Sequence, residues 1–318
     1  MSKDLLILRH GKAFDAFDES DFDRTLKDSG KRKAQRVGVW LQQHDLQPDY
    51  ILASPAPRAR VTAEKCCKAM GIGSHKIILL PALYLATPNT LMKLLRTIPA
   101  TYQRVLLVGH NPGLSALTTQ LSSPHKPLLL KKASLAHLRT EQPWSQLGGK
   151  TALLEKLLHA KELPAGFPYP APNGQERRNR PAYYYTQSAV IPYRYTDEGL
   201  KILVIRSSQN KHWVIPKGIA DPGMTLQASA AKEAREEAGV EGPIDDQPLG
   251  QYSVFKWGAN CTVTVFPMAV QRQLADAAWE ERHRGRRWMS PKQAAILLHQ
   301  PELGEMARTL AERLQQHG

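Results

Sequence analysis

The sequence predicts an α/β chain of two layered domains in series, and three observations carry that prediction. Over residues 1–122, short apolar runs alternate with amphipathic helical patterns. Such alternation implies an α/β/α layered domain whose mostly parallel sheet is covered on both faces. The stretch "PAGFPYPAPNGQERRNRPA" (164–182), rich in Pro, Gly and Arg, then interrupts the pattern and is expected to be an irregular linker. Beyond it, strand-like runs surround one clear helical pattern at 226–238. The predicted domains are therefore 1–163 and 183–318, joined by the linker at 164–182.

Taken in order, "LLIL" (5–8) is the first buried strand, and it runs straight into Arg9-His10-Gly11. A helix over 30–44 places Ala34, Val37, Trp40 and Leu41 on one face. "YILAS" (50–54), "KIILL" (76–80) and "RVLLVG" (104–109) are further buried strands, separated by helices at 57–70 and 88–97. "KTALLEKLLHAKELP" (150–164) predicts a helix that closes this half. After the linker, "SAVIPYRY" (188–195) and "LKILVIRS" (200–207) are strands, and a last helix covers 301–316. No internal repeat is present.

Composition narrows the class. With 42% hydrophobic and 23% charged residues the chain is globular. Apolar runs such as "PLLL" (127–130) are far too short to span a bilayer, and the N-terminus lacks a signal-peptide layout. Three cysteines, two of them adjacent (Cys66, Cys67, with Cys261), argue against a disulfide framework and for a reducing cytoplasm. The net charge of +14 is uneven: residues 1–150 hold 22 Lys and Arg against 11 Asp and Glu, a surplus of 11. That balance suits an anionic partner, a phosphorylated protein or a phosphate-rich small molecule. Neither a membrane nor nucleic acid is expected as the partner.

Ligands of open α/β sheets bind at the carboxyl ends of the strands. Three basic clusters sit there: Arg9 and His10 after the first strand, Arg58 in "ASPAPRAR" (53–60), and His110 in "VGHNPG" (108–113). A transferring phosphoryl group needs guanidinium donors for its oxygens and an in-line nucleophile, which a neutral imidazole supplies. Two arginines and two histidines meet both needs. "LRHGKA", "SPAPRA" and "GHNP" resemble the signatures of the histidine phosphatase (phosphoglycerate-mutase-like) superfamily. With "DFDRTLKDSG" (21–30) the chain is most similar to its short, SixA-type phosphohistidine phosphatases, over about residues 1–160. The resemblance implies that His10 becomes phosphorylated while Arg9, Arg58 and His110 hold the phosphate. Arg24 matches the arginine of the short-form motif, and no cofactor is implied. Many members carry a general-acid carboxylate where this chain has Ala82. Its absence favours leaving groups that need little protonation, such as an imidazole or an anhydride phosphate. Asp18, Asp21 and Asp23 are within reach in sequence as substitutes.

In "IPKGIADPGMTLQASAAKEAREEAGV" (215–240), Glu233, Glu236 and Glu237 fall at i, i+3 and i+4 and share one helical face. Their repulsion is reversed by a divalent cation, and carboxylates with retained water suit Mg²⁺ or Mn²⁺. Lys217 in Pro216-Lys217-Gly218, the turn at Gly223 and the stop at Gly239 complete a pattern that resembles the Nudix box. Met224 replaces its usual first Glu, and Lys232 its usual Arg. The resemblance extends over about 183–314 and is strongest to Nudix enzymes acting on diphosphoinositol and diadenosine polyphosphates. It implies an α/β/α sandwich with a mixed sheet. Arg282, Arg284, Arg286 and Arg287 are expected to bind a chain of phosphates.

These readings predict a bifunctional hydrolase, a phosphohistidine-type phosphatase followed by a metal-dependent pyrophosphohydrolase. Two alternatives stand beside it: a hydrolase that clears oxidised nucleoside triphosphates, and a non-catalytic regulator that binds polyanions.

Overall fold

The computed structural model describes residues 2–15 and 20–316, and Asp18 lies outside them. The chain forms two compact units, one running to Ala182 and the other from Tyr183. No helix of the described residues is long and apolar enough to cross a membrane.

The first unit is assembled from β1 (Lys3–Arg9), α1 (Asp28–Gln43), β2 (Tyr50–Ala53), α2 (Pro57–Ala69), β3 (Ile77–Leu79), α3 (Pro88–Arg96), β4 (Arg104–Gly109), α4 (Gly113–Ser122), β5 (Ser134–Thr140) and β6 (Leu153–His159). Its six strands are ordered β3-β2-β4-β1-β5-β6, with β1 to β4 mutually parallel and β5 and β6 antiparallel. Side chains alternate across the sheet. Leu5 and Ile7 of β1 pack with Leu91, Leu95, Leu114 and Leu117 of α3 and α4. Leu6 and Leu8 pack with Val37 and Leu41 of α1 and with Ala63 and Cys66 of α2. These are the three layers that the alternating pattern predicts.

Two expectations change. The segment 150–164 is not a helix: β6 pairs antiparallel with β5, and a one-turn 3₁₀ segment follows at Ala160–Glu162. Leu154 and Leu157 have helical spacing, but a bulge opposite His137/Leu138 shifts the register and returns both to one sheet face, against the first core. The stretch 164–182 is not irregular throughout. It holds a two-stranded hairpin, β7 (Phe167–Tyr169) with β8 (Glu176–Arg178). Phe167 is 1% exposed, and Arg36 and Gln43 of α1 donate to the carbonyls of Ala165 and Pro172.

The second unit contains β9 (Thr186–Thr196), β10 (Gly199–Arg206), β11 (Trp213–Val214), β12 (Lys217–Ile219), α5 (Leu226–Glu233), β13 (Val240–Glu241), β14 (Gly250–Lys256), β15 (Ala259–Ala269), β16 (Arg272–Gln273), β17 (Arg286–Met289), α6 (Pro291–Leu297) and α7 (Pro301–Gln316). Its seven-stranded sheet is mixed: β15 runs parallel to β9, and the other pairings are antiparallel. Ile202 and Val204 face Ala307 and Leu310 of α7, whereas Leu203 and Ile205 face Ala230 of α5. Both units are therefore α/β, each with a sheet between helical layers. α5 passes directly into a π-helical turn, Ala234–Ala238, and ends at Gly239 with φ +63°.

All three cysteines are buried and unpaired by disulfides. Burial pushes the Cys67 thiol up to about 12 and that of Cys66 well above its ordinary value.

Candidate phosphate sites

In the first unit, the carboxyl ends of β1 and β4 and the start of α2 bring Arg9, His10, Arg58 and His110 together. The His10 and His110 rings lie 5.1 Å apart, and both side chains are buried, as is Arg58. Gly11 allows the chain to leave β1 against α1, because a Cβ there would meet the Gly30 backbone at 2.9 Å. The Gly11 amide donates to Thr62 Oγ1 of α2 (3.0 Å), which ties the His10 loop to the helix that carries Arg58.

His10 Nδ1 lies 2.7 Å from the Gly11 carbonyl, which is only an acceptor, so Nδ1 carries the proton and Nε2 keeps its lone pair. Burial, followed by the charges of Arg58 and Arg9, holds His10 down at about 4. Burial likewise lowers His110 to about 3. Both imidazoles are neutral at pH 7. His110 Nε2 is 2.8 Å from Ser54 Oγ, and its Nδ1 is buried without a hydrogen-bond partner. Arg9 Nη1 donates to the Leu130 carbonyl (2.9 Å), as does Asn111 Nδ2 (3.0 Å).

Asp21 and Tyr84 complete the site. The Asp21 carboxylate accepts from Arg24 Nη1 (2.8 Å), Arg58 Nη2 (2.7 Å) and Tyr84 OH (2.8 Å). Arg58 Nη1 also donates to the carbonyls of Asp21 and Phe22. The hydrogen bonds from Arg24 and Tyr84 hold the Asp21 carboxyl at about 2. Asp21 therefore reaches the site as a charged partner of the arginines, not as a proton donor. Asp23 is engaged by Ser20 instead (2.6 Å), and Ala82 lies exposed in the turn Pro81–Leu83. Arg24 enters the site through Asp21.

In the second unit, α5 and the π turn carry the three glutamates past β12. A Cβ on Gly218 would overlap the Glu233 carboxyl group, so glycine leaves that carboxylate its place beside β12. Burial, then the charge of Glu237, raises Glu233 to about 7. Burial also raises Glu236 and Glu237. Half-buried carboxylates that repel one another are a donor set suited to a divalent cation, although no group of three or more ligating side chains is preassembled among the described residues. Glu237 explains why: one oxygen accepts from the Lys217 amide (2.9 Å) and the other pairs with Arg284. Lys232 takes its place between Asp221 (2.8 Å) and Glu236 (3.9 Å), and Met224 is exposed.

The four arginines expected to act together are dispersed. Arg284 is buried and lines the cleft, but it is held by Glu237, Glu281 (2.9 Å) and the Arg206 carbonyl (2.8 Å). Arg286 points elsewhere: it donates to the carbonyls of Ala238, Gly239 and Leu274 and stacks over Trp279 (4.5 Å). It caps the end of the glutamate helix. Arg282 and Arg287 are exposed and line neither the basic cleft nor the aromatic one beside it.

Two adjoining clefts occupy this face. One, about 330 Å³, is basic and is lined by Lys211, Lys217, Lys256, Arg284 and Glu237. The other, about 210 Å³, shares His212, Lys217 and Lys256 with it and adds Trp213, Tyr252 and His299. Burial and the nearby Lys256 lower the Lys217 ammonium from its ordinary value. Lys256 and His299 arrive from the β14–β15 hairpin and the α6–α7 corner, which local spacing does not reveal.

Two family models match separate parts of the chain. The family model described as NUDIX domain matches residues 185–310, and that of the histidine phosphatase superfamily (branch 1) matches 5–84. Nudix hydrolase 12, mitochondrial, of Arabidopsis thaliana is 30% identical over 146 residues, covering 39% of this chain and 71% of the relative. An uncharacterised protein of Picosynechococcus is 36% identical over 146 residues, covering 43% and 85%. Among solved structures, the protein histidine phosphatase SixA complexed with tungstate is 20% identical with a TM-score of 0.44, covering 50% of this chain and 97% of that one.

Proposed function

Because the chain belongs to the Nudix hydrolases and carries a histidine phosphatase superfamily domain ahead of that unit, we propose a bifunctional enzyme with two chemically independent hydrolytic sites. The observation that carries the first is the His10 imidazole, neutral and oriented by the Gly11 carbonyl so that Nε2 is the free nucleophile. Nε2 forms a bond to phosphorus as the bond to the leaving group breaks. Water then attacks the phosphohistidine, releasing phosphate and restoring the imidazole. Arg9 and Arg58 neutralise the phosphoryl oxygens, and the unpartnered His110 Nδ1 offers a further contact. With no carboxylate at Ala82 and Asp21 held ionised, a phosphohistidine or terminal anhydride phosphate is the substrate class, on a protein or a phosphate-rich small molecule.

For the second unit, Glu233, Glu236 and Glu237 are the residues that would hold a divalent ion, Mg²⁺ or Mn²⁺. When bound, such an ion supplies Lewis-acid charge and an activated water. In this structure the Lys217 amide and Arg284 engage both Glu237 oxygens, so Arg284 would have to release Glu237 for all three carboxylates to reach the ion. The basic cleft takes consecutive phosphates, and its aromatic neighbour takes a planar base. This pairing favours a dinucleoside polyphosphate-like substrate over a diphosphoinositol polyphosphate, whose ring carries phosphates that an aromatic compartment would desolvate. An oxidised nucleoside triphosphate meets the same two clefts. The buried, inert thiols agree with a reducing compartment such as the cytoplasm. Phosphate release from a diadenosine polyphosphate, a diphosphoinositol phosphate and a phosphohistidine peptide, with Mg²⁺ and with EDTA, tests the reading. Nucleotide turnover should need the metal and phosphohistidine turnover should not. Retention of polyphosphate without turnover in either case would leave a binding regulator instead.

A further inference from the structure

We propose that Asp21 is a specificity-determining residue of the phosphatase site, an internal competitor that a phosphoryl group must displace from Arg58 and Tyr84 in order to bind. The inference rests on the histidine phosphatase reading of that site and concerns which anions enter it.

Three donors from three separate segments converge on one carboxylate: Arg58 Nη2 and Tyr84 OH on Oδ2, and Arg24 Nη1 on Oδ1. The Arg58 side chain is 3% exposed, so the anion it faces is selected inside the protein. Its second terminal nitrogen is taken by the carbonyls of Asp21 and Phe22, and its Nε is buried without a hydrogen bond. The loop at Asp21–Arg24 is thus folded over a guanidinium that lies beside His10 and His110. The Tyr84 ring stands edge-on to His110 at 5.3 Å, and the Arg58 guanidinium lies 5.8 Å from its centroid. Donors and nucleophile belong to one constellation, and the carboxylate occupies the anion position within it.

A carboxylate brings one charge and two oxygens, whereas a terminal phosphoryl group brings two charges and three oxygens. Charge-assisted hydrogen bonds to the latter are stronger and more numerous. The tethered carboxylate is present at high local concentration, so weakly held monoanions do not displace it. A dianionic terminal phosphoryl group does. Once the phosphohistidine is hydrolysed, return of Asp21 to Arg58 expels the product. Asp21 therefore weakens phosphate retention and suppresses competing monoanions such as carboxylates and chloride.

The test uses the full chain, with binding of inorganic phosphate measured by calorimetry and by competitive inhibition. Asp21→Asn should bind phosphate at least tenfold more tightly, lower KM more than it changes kcat, and become measurably inhibited by a monoanion such as formate. Asp21→Glu, which keeps the charge, should restore weak phosphate binding. The Asp21 side chain is 48% exposed, so neither substitution disturbs the core. Equal or weaker phosphate binding by Asp21→Asn, with phosphorylation of His10 intact, overturns the proposal alone. Failure of all three proteins to bind phosphate overturns it together with the phosphatase reading.

Discussion

The proton on His10 decides what the first site can do. Its Nδ1 is committed to a carbonyl, and burial keeps the ring neutral down to about pH 4. His10→Ala should abolish phosphoenzyme formation from a labelled phosphohistidine donor while pyrophosphohydrolase turnover persists. Label retained on the variant would move the nucleophile elsewhere. The same burial has a cost in acid. Between the ordinary histidine value near 6.5 and the folded values of about 4 and 3, the unfolded chain binds protons that the native His10 and His110 refuse. Stability of the first unit should therefore fall as the pH drops through that window. Double replacement by Asn should flatten the decline in a series of melts from pH 7 to pH 4. Arg9, His10, Arg58 and His110 were visible in the sequence because each follows a predictable strand or begins a predictable helix. Asp21 was one of three carboxylates within reach in sequence and Tyr84 was not singled out, since their meeting with Arg58 depends on how two loops fold back, and loop paths leave no periodic trace.

Among elements, β12 and the α5–π turn matter most, because their close approach creates the glutamate cluster. Gly218→Ala should reduce pyrophosphohydrolase activity by orders of magnitude while leaving phosphatase activity unchanged, since the added methyl overlaps the Glu233 carboxyl group. Activity of the variant at wild-type level would show that the Glu233 carboxylate need not hold the position beside Gly218. Glu236→Gln should lower metal affinity, measured by titration with Mn²⁺, and EDTA should silence this reaction alone. The helical spacing of the glutamates was legible in the sequence, and so were the four parallel strands and the helices α1 to α3, whereas α4 was not singled out. The spacing of Leu154 and Leu157 misled, because a strand with one bulged residue imitates the helical i, i+3 repeat. The 282–287 arginines part company: Arg284 lines the basic cleft and Arg286 does not. Composition alone does not separate a guanidinium that caps a helix, as Arg286 does, from one that faces a ligand.

At the scale of the whole molecule, the hairpin at 167–178 belongs with the first unit. A chain ending at Ala182 should keep phosphatase activity, whereas one ending at Leu163 should melt at a clearly lower temperature, because it loses Phe167 and two bonds to α1. Phe167→Ala alone should cost about 3–5 kcal/mol, as removal of a buried aromatic ring does. Equal melting of the two truncations would show that the hairpin contributes nothing. The Pro- and Gly-rich composition correctly marked a change in the chain. It did not reveal that a buried aromatic ring and two hydrogen bonds to α1 fasten the segment to the first unit. Finally, the burial of all three cysteines makes the native protein nearly silent to thiol reagents. A cysteine introduced at an exposed position in each unit, Lys131 and Gln251 for instance, would take a spin label or fluorophore with no need for a cysteine-free background. Distances between such a pair would report in solution whether substrate at one site changes the separation of the two.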